Sequence, residues 1–196
     1  MIPHCDALFL KYFDPWYTPA DRKRRGFRAT RPDLMQNKYF MGKNSAESSF
    51  LTPAKQLEVG QRLETMLGDA RNDWSSYLYL TGEPDLRWIA TFDEYHDRDQ
   101  IQALVDRSDP KNFSSDYVVT CCEFGAVLGQ VLISLQPKLQ WHYEWPYWES
   151  ALFDPRSGSL IPPFHWAVKK MSEYGVDDGF AAKIEACLQI LEKKAL

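Results

Sequence analysis

The sequence predicts an α+β fold, with helices flanking one small antiparallel β-meander and an irregular basic arm at the N-terminus. Three observations predict it. Apolar residues recur at intervals of three and four through several long segments, which is the period of a helix with one buried face. About residues 138–161 the pattern changes to an alternation of apolar and polar residues around a strong turn, the signature of half-buried strands. Strand and helix patterns do not alternate along the chain, so a parallel α/β sheet is not expected.

Residues 1–51 carry nine Lys and Arg against five acids, together with Pro3, Pro15, Pro19 and Pro32. No period of 3.6 or 2 runs through them. They are expected to form an arm with at most one short helix, packed on the body through Phe9, Tyr12, Phe13, Trp16 and Tyr17. Residues 52–196 then read as a single α+β domain. Its first helix opens at Thr52-Pro53, a good cap followed by a good first helical residue. Leu57, Gly60, Leu63 and Leu67 share one face, and Gly68 is the expected stop. Trp74, Tyr77, Leu78 and Leu80 continue a shorter apolar stretch closed by Thr81-Gly82-Glu83-Pro84.

Asp97 to Ser108 reads as a helix with Ile101, Leu104 and Val105 inward, ended by Asp109-Pro110. The longest helix is expected over 115–135, capped by Ser114 or Ser115 and ended by Pro137. On it Gly125 and Gly129 form a smooth stripe, expected to let another part of the chain approach closely. Leu139 to Trp145 alternates as a strand, Ser150 to Phe153 reads as its partner, and Asp154-Pro155-Arg156-Ser157-Gly158 as the turn into Ser159-Leu160-Ile161. Pro162-Pro163 opens a helix bearing Phe164, Val168 and Met171 that stops near Gly175, and 179–194 reads as the last helix.

Composition excludes some functions. With 44% hydrophobic and 26% charged residues the chain is neither disordered nor low in complexity, and 14% aromatic residues supply a core. A net charge of −4 and a pI near 5.6 argue against nucleic acid as the main partner. The run Arg22-Lys23-Arg24-Arg25-Gly26-Phe27-Arg28 reads as a solvated arm or as a match for the acidic region 83–123. The opening Met1 to Asp6 has no basic leader region, and Thr120, Glu123, Gln130 and Ser134 interrupt the longest apolar run, so neither secretion nor a membrane span is expected. Cys5, Cys121, Cys122 and Cys187 lack CxxC spacing and are expected as buried, reduced thiols in a cytoplasmic protein.

Motifs for catalysis are sparse. Neither a phosphate-cradling glycine loop nor a GxSxG elbow is present, and no zinc signature appears, so no cofactor and no metal are expected. Cys121 or Cys122 with His142 or His165 would make a nucleophile and base, but Cys121 lies mid-helix on the apolar face, where thiols are inert. His142 and Glu144, two apart on a strand, point the same way, and Glu149, Asp154 or His165 could join them. A solvated or hydrogen-bonded role is the simpler reading of all of these.

Between Gly125 and Tyr174 the chain resembles a known layout. The helix segment Phe124-Gly125-Ala126-Val127-Leu128-Gly129-Gln130-Val131-Leu132, the strand Trp141, the hairpin, and Pro163-Phe164-His165-Trp166 resemble small bacterial domains, some of which are similar to immunity proteins that neutralise toxins. The likeness spans about fifty residues and carries no catalytic set. It implies a non-enzymatic, protein-binding module acting on a cognate toxin, and an acidic body suits a basic one. The expected contact set joins the acids Asp93, Glu94, Asp97 and Asp99, for steering, to Tyr147 and Trp148 beyond Pro146, as exposed aromatic anchors. The alternative is a small hydrolase using His142 with Glu144 or Cys121.

Overall fold

The computed structural model describes residues 1–25 and 51–194. Its helices are α1 (Cys5–Tyr12), α2 (Pro19–Arg25), α3 (Pro53–Tyr77), α4 (Leu86–Tyr95), α5 (Arg98–Arg107), α6 (Asp116–Leu135), α7 (Pro163–Lys170) and α8 (Phe180–Lys194). The strands β1 (Gln140–His142), β2 (Ala151–Asp154) and β3 (Ser159–Ile161) form an antiparallel meander in the order β1-β2-β3. Trp141 stands opposite Leu152, and Leu152 opposite Ile161. The fold is α+β, with helices flanking the meander as the periodicity predicts.

Helix α6 is the centre of the fold. It is long and apolar enough to cross a membrane by length and composition, yet most of it is buried inside the protein. On one side Phe124 meets Phe92 at 4.4 Å between ring centroids, and Phe92 meets Trp74 at 4.8 Å. On the other side the glycine stripe does what the spacing predicts. A Cβ at Gly125 would lie 3.0 Å from the Phe164 Cα and closer still to its ring, and one at Gly129 would run into the Trp141 indole. The two glycines therefore let α7 and the meander seat directly on the α6 backbone.

Local signals set several boundaries. Thr52 Oγ1 accepts from the Lys55 N–H at 3.3 Å and caps α3 as expected, and Asp97, read as the first residue of its helix, instead caps α5 by accepting from the Gln100 N–H at 2.9 Å. Helix α6 ends at Leu135, just before Pro137. Asp154 is fully buried at the hairpin turn, where it accepts from Ser157 Oγ at 2.9 Å and from the Arg156 N–H at 3.1 Å. These bonds, with the Arg156 guanidinium beside it, hold its carboxyl below the ordinary value against the opposing effect of burial.

Elsewhere the structure departs from the sequence reading. Helix α3 runs through Gly68 to Tyr77, with Val59, Leu63, Met66, Ala70 and Trp74 buried and Leu57 exposed. Gly68 does not stop it because the apolar face continues for two more turns, and burial outweighs the roughly 1 kcal/mol cost of one helical glycine. Helix α4 is an element the sequence reading lacked; Asp85 caps it through the Trp88 N–H at 3.2 Å. The first 25 residues are helical rather than irregular. Phe9, Tyr12, Phe13 and Tyr17 lie in the common core, while Trp16 is 37% exposed. Arg22 of the basic run binds Asp14, and residues 26–28 of that run lie outside the described residues.

Candidate functional site

The six residues nominated for partner binding divide into three kinds. Glu94, Asp97 and Asp99 are exposed around the junction of α4 and α5. Asp93 is not a solvated acid. Its side chain is 13% exposed, its Oδ1 lies 2.8 Å from the ammonium of the buried Lys170, and its Oδ2 accepts from the Phe180 N–H at 2.6 Å. It joins α4 to α7 and to the start of α8, so its assignment to a steering surface is corrected.

Tyr147 and Trp148 are corrected as well. They are 5% and 4% exposed, not anchors open to a partner. After β1 the chain folds back as a single 3-10 turn, Tyr147–Glu149, which drives both rings inward. Trp148 packs edge-on against Phe13 and Tyr17, and its Nε1 donates to the Tyr17 hydroxyl at 3.1 Å. Tyr17 in turn donates to Glu149 Oε1, which lies 3.6 Å from His165 Nε2. This polar cluster stitches residue 17 to the hairpin. It gives the buried Trp148 Nε1–H and Tyr17 hydroxyl the hydrogen bonds they would otherwise make to water, whereas His165 Nε2 at 3.6 Å makes none.

The catalytic alternatives assemble only in part. His142 Nε2 and Glu144 Oε1 are 3.1 Å apart, although β1 ends at His142 and Glu144 lies in the segment after it rather than on the strand. Cys121 does not join them: it is fully buried, paired with Tyr117, and its thiol is pushed well above the usual range by burial and by the neighbouring Cys122. Cys122 and Cys187 are pushed up to about 12, both chiefly by burial. The Ser150 hydroxyl accepts from the Glu144 N–H and donates to the Glu144 carbonyl, so it is spent on the hairpin backbone. All four thiols are free and buried, and none is poised as a nucleophile.

One trio of metal-ligating groups occurs among the described residues. His4 Nδ1, Cys5 Sγ and an Asp6 carboxylate oxygen lie within 4.8 Å of one another. His4 Nδ1 already accepts from the Asp6 N–H as the cap of α1, and burial together with Asp6 raises Cys5 to about 12. A protonated thiol and an occupied imidazole nitrogen make a poor ligand set.

The structure brings together a cleft that sequence reasoning missed. It has a volume of about 460 Å³ between α3, α4, α5 and α6, with Asp73, Tyr77, Tyr95, His96, Arg107, Asp116 and Glu123 among its walls. Tyr77 and Tyr95 face each other at 5.1 Å, and Tyr95 is 41% exposed at the mouth. Glu123 is 6% exposed, and its Oε2 accepts from the Trp74 Nε1–H at 3.1 Å. Burial, with Asp73 and Asp69, raises its carboxyl to about 7 against the opposing Trp74 hydrogen bond. His96 is 3% exposed, and burial lowers its imidazole to about 4. The one available signal was that Glu123 is the single charged residue between Tyr117 and Leu135.

A second cavity of about 320 Å³ lies between α7 and α8, lined by Trp166, Tyr174, Phe180, Ile190 and three lysines. Lys170 there is committed to Asp93, Lys183 to Asp178, and Lys169 and Lys183 both lie over the Tyr174 ring. No family model matches the chain, and no curated protein or solved structure matches it. The site must therefore be read from its own chemistry.

Proposed function

We propose that this chain is a non-enzymatic, cytoplasmic protein-binding module of the immunity type, which neutralises a cognate bacterial toxin by covering a basic surface on it. One observation carries this reading. Glu94, Asp97 and Asp99 stand exposed around Tyr95, whose half-exposed ring is backed by Tyr77 at 5.1 Å. Exposed acids steer a basic partner and raise the association rate, whereas a rigid tyrosine that loses its water on contact slows dissociation. Tyr95 takes the anchoring part that the buried Tyr147 and Trp148 do not.

Co-expression with toxin domains encoded beside its own gene tests the proposal. Wild type should restore growth. The triple variant Glu94→Gln, Asp97→Asn, Asp99→Asn should associate about tenfold more slowly with that toxin at low salt, and Tyr95→Ala should dissociate faster. The amide at 97 still accepts from the Gln100 N–H, so the cap of α5 survives. Absence of rescue by wild type, or rescue and kinetics untouched by all four changes, overturns the reading. The hydrolase alternative is favoured by one observation, the 3.1 Å contact of His142 with Glu144. Turnover of a simple ester that is lost in His142→Ala would put it first.

A further inference from the structure

The cleft behind Tyr95 has the chemistry of a receptor for one flat cation. We infer that it takes the guanidinium of an arginine side chain, which on the reading above is presented by the partner. Four features on its walls converge on that ligand. Asp73 and Glu123 carry no cation among the described residues, whereas the rim pair Arg107 and Asp116 neutralise each other at 2.6 Å. The cleft thus keeps an excess of acid that a cation relieves.

Tyr77 and Tyr95 supply aromatic surface at the mouth, where a planar guanidinium stacks better than a compact ammonium. His96 supplies the third feature. Its Nδ1 lies 3.2 Å from the Phe92 carbonyl, which can only accept, so Nδ1 carries the proton and Nε2 is left as an acceptor. That Nε2 has no partner among the described residues, although the side chain is 97% buried and lines the cleft. An unfilled acceptor beside two carboxyl groups calls for a ligand with several N–H donors. Finally, Glu123 is held in place by Trp74 rather than free to swing, so a guanidinium meets a carboxyl already fixed and largely stripped of water.

The test uses the full chain and no toxin. Nα-acetyl-arginine methylamide is titrated at pH 8 while the His96 ring signal and the Tyr77 and Tyr95 ring signals are followed by NMR. The lysine and norleucine analogues serve as comparisons. The arginine probe should saturate with a dissociation constant on the order of 1 mM, the lysine probe should bind about threefold more weakly, and the norleucine probe should not saturate. Glu123→Gln and Tyr95→Ala should each weaken the arginine probe about fivefold, and Glu185→Gln, an exposed acid of α8 outside the cleft, should not.

An equal response to norleucine overturns the inference. So does wild-type titration by Tyr95→Ala, whose exposed position makes misfolding no explanation, or shifts confined to residues outside the cleft. Absence of saturation with growth rescue intact removes the cleft and leaves the binding reading standing. Saturation without rescue by wild type does the reverse.

Discussion

Replacing Asp93 separates two descriptions of the acidic stretch 93–99. Were Asp93 a solvated steering acid, Asp93→Ala would leave stability within about 0.5 kcal/mol. In the structure the same change strands the Lys170 ammonium, which is 1% exposed, with only the carbonyls of Val176 and Asp178 at 3.5 Å. Breaking a buried pair from one side costs about 3 kcal/mol at the lower end of the usual range, which suits an acid that is itself 13% exposed. The lost acceptor for the Phe180 N–H, at the first residue of α8, adds about 1 kcal/mol.

The sum of about 4 kcal/mol lowers a urea midpoint by about 2 M at a slope of about 2 kcal/mol/M, and Tm by roughly 10 °C. Asp93→Asn keeps an acceptor for Phe180 and should cost about 1 kcal/mol less. Lys170→Met removes the buried charge instead, and the double variant Asp93→Asn, Lys170→Met should lie closer to wild type than the two single costs added together. Equilibrium urea unfolding of wild type and the four variants measures all of this. A cost below about 1 kcal/mol for Asp93→Ala, or simple additivity in the double variant, refutes the reasoning.

Trp148→Ala should cost roughly 3–5 kcal/mol in urea unfolding, because it empties a buried ring site and removes the donor to the Tyr17 hydroxyl; a cost under 1 kcal/mol would place the ring at the surface after all. Gly125→Ala should destabilise by about 1–2 kcal/mol, since overpacking against Phe164 outweighs the helical gain, whereas Gly68→Ala, with nothing within 4 Å of its Cβ, should stabilise by about 0.5–1 kcal/mol. Like signs for the two glycine changes would contradict the packing of α7 on α6. Glu123, raised from 4.5 to about 7, keeps its proton in the folded state where the unfolded chain has lost it, so its contribution to stability falls as pH rises through that window. His96, lowered from 6.5 to about 4, acts oppositely: the unfolded chain binds the extra proton, and its contribution rises with pH from about 4 to 6.5. The two slopes offset each other in wild type, and Glu123→Gln should release the rise, making the gain in stability from pH 5 to pH 8 larger by about 2–3 kcal/mol. An unchanged gain would mean that Glu123 ionises as it does in water.

Features that depend on neighbours in the chain were legible before any fold was known. Thr52 and Asp97 cap helices because an oxygen on the cap residue reaches an N–H three positions on, and both bonds are made. Pro137 ends α6, the turn at 154–158 reverses the meander, and Gly125 and Gly129 mark the face that something must approach. His142 and Glu144 do meet, but β1 ends at His142, so the contact is made by the segment after the strand and not by two positions on one strand face. Which polar and aromatic groups are buried was not legible, because it depends on residues far away in the chain. Trp148 meets Tyr17 across 131 positions, Trp74 meets Glu123 across 49, and Asp93 reaches Lys170 from another helix. An acid is equally at home in water or against one buried cation, and a tryptophan equally hydrophobic in a core or at a rim. No periodicity within a single segment separates these cases, because the free energy that does so belongs to the partner, and the fold alone brings that partner near.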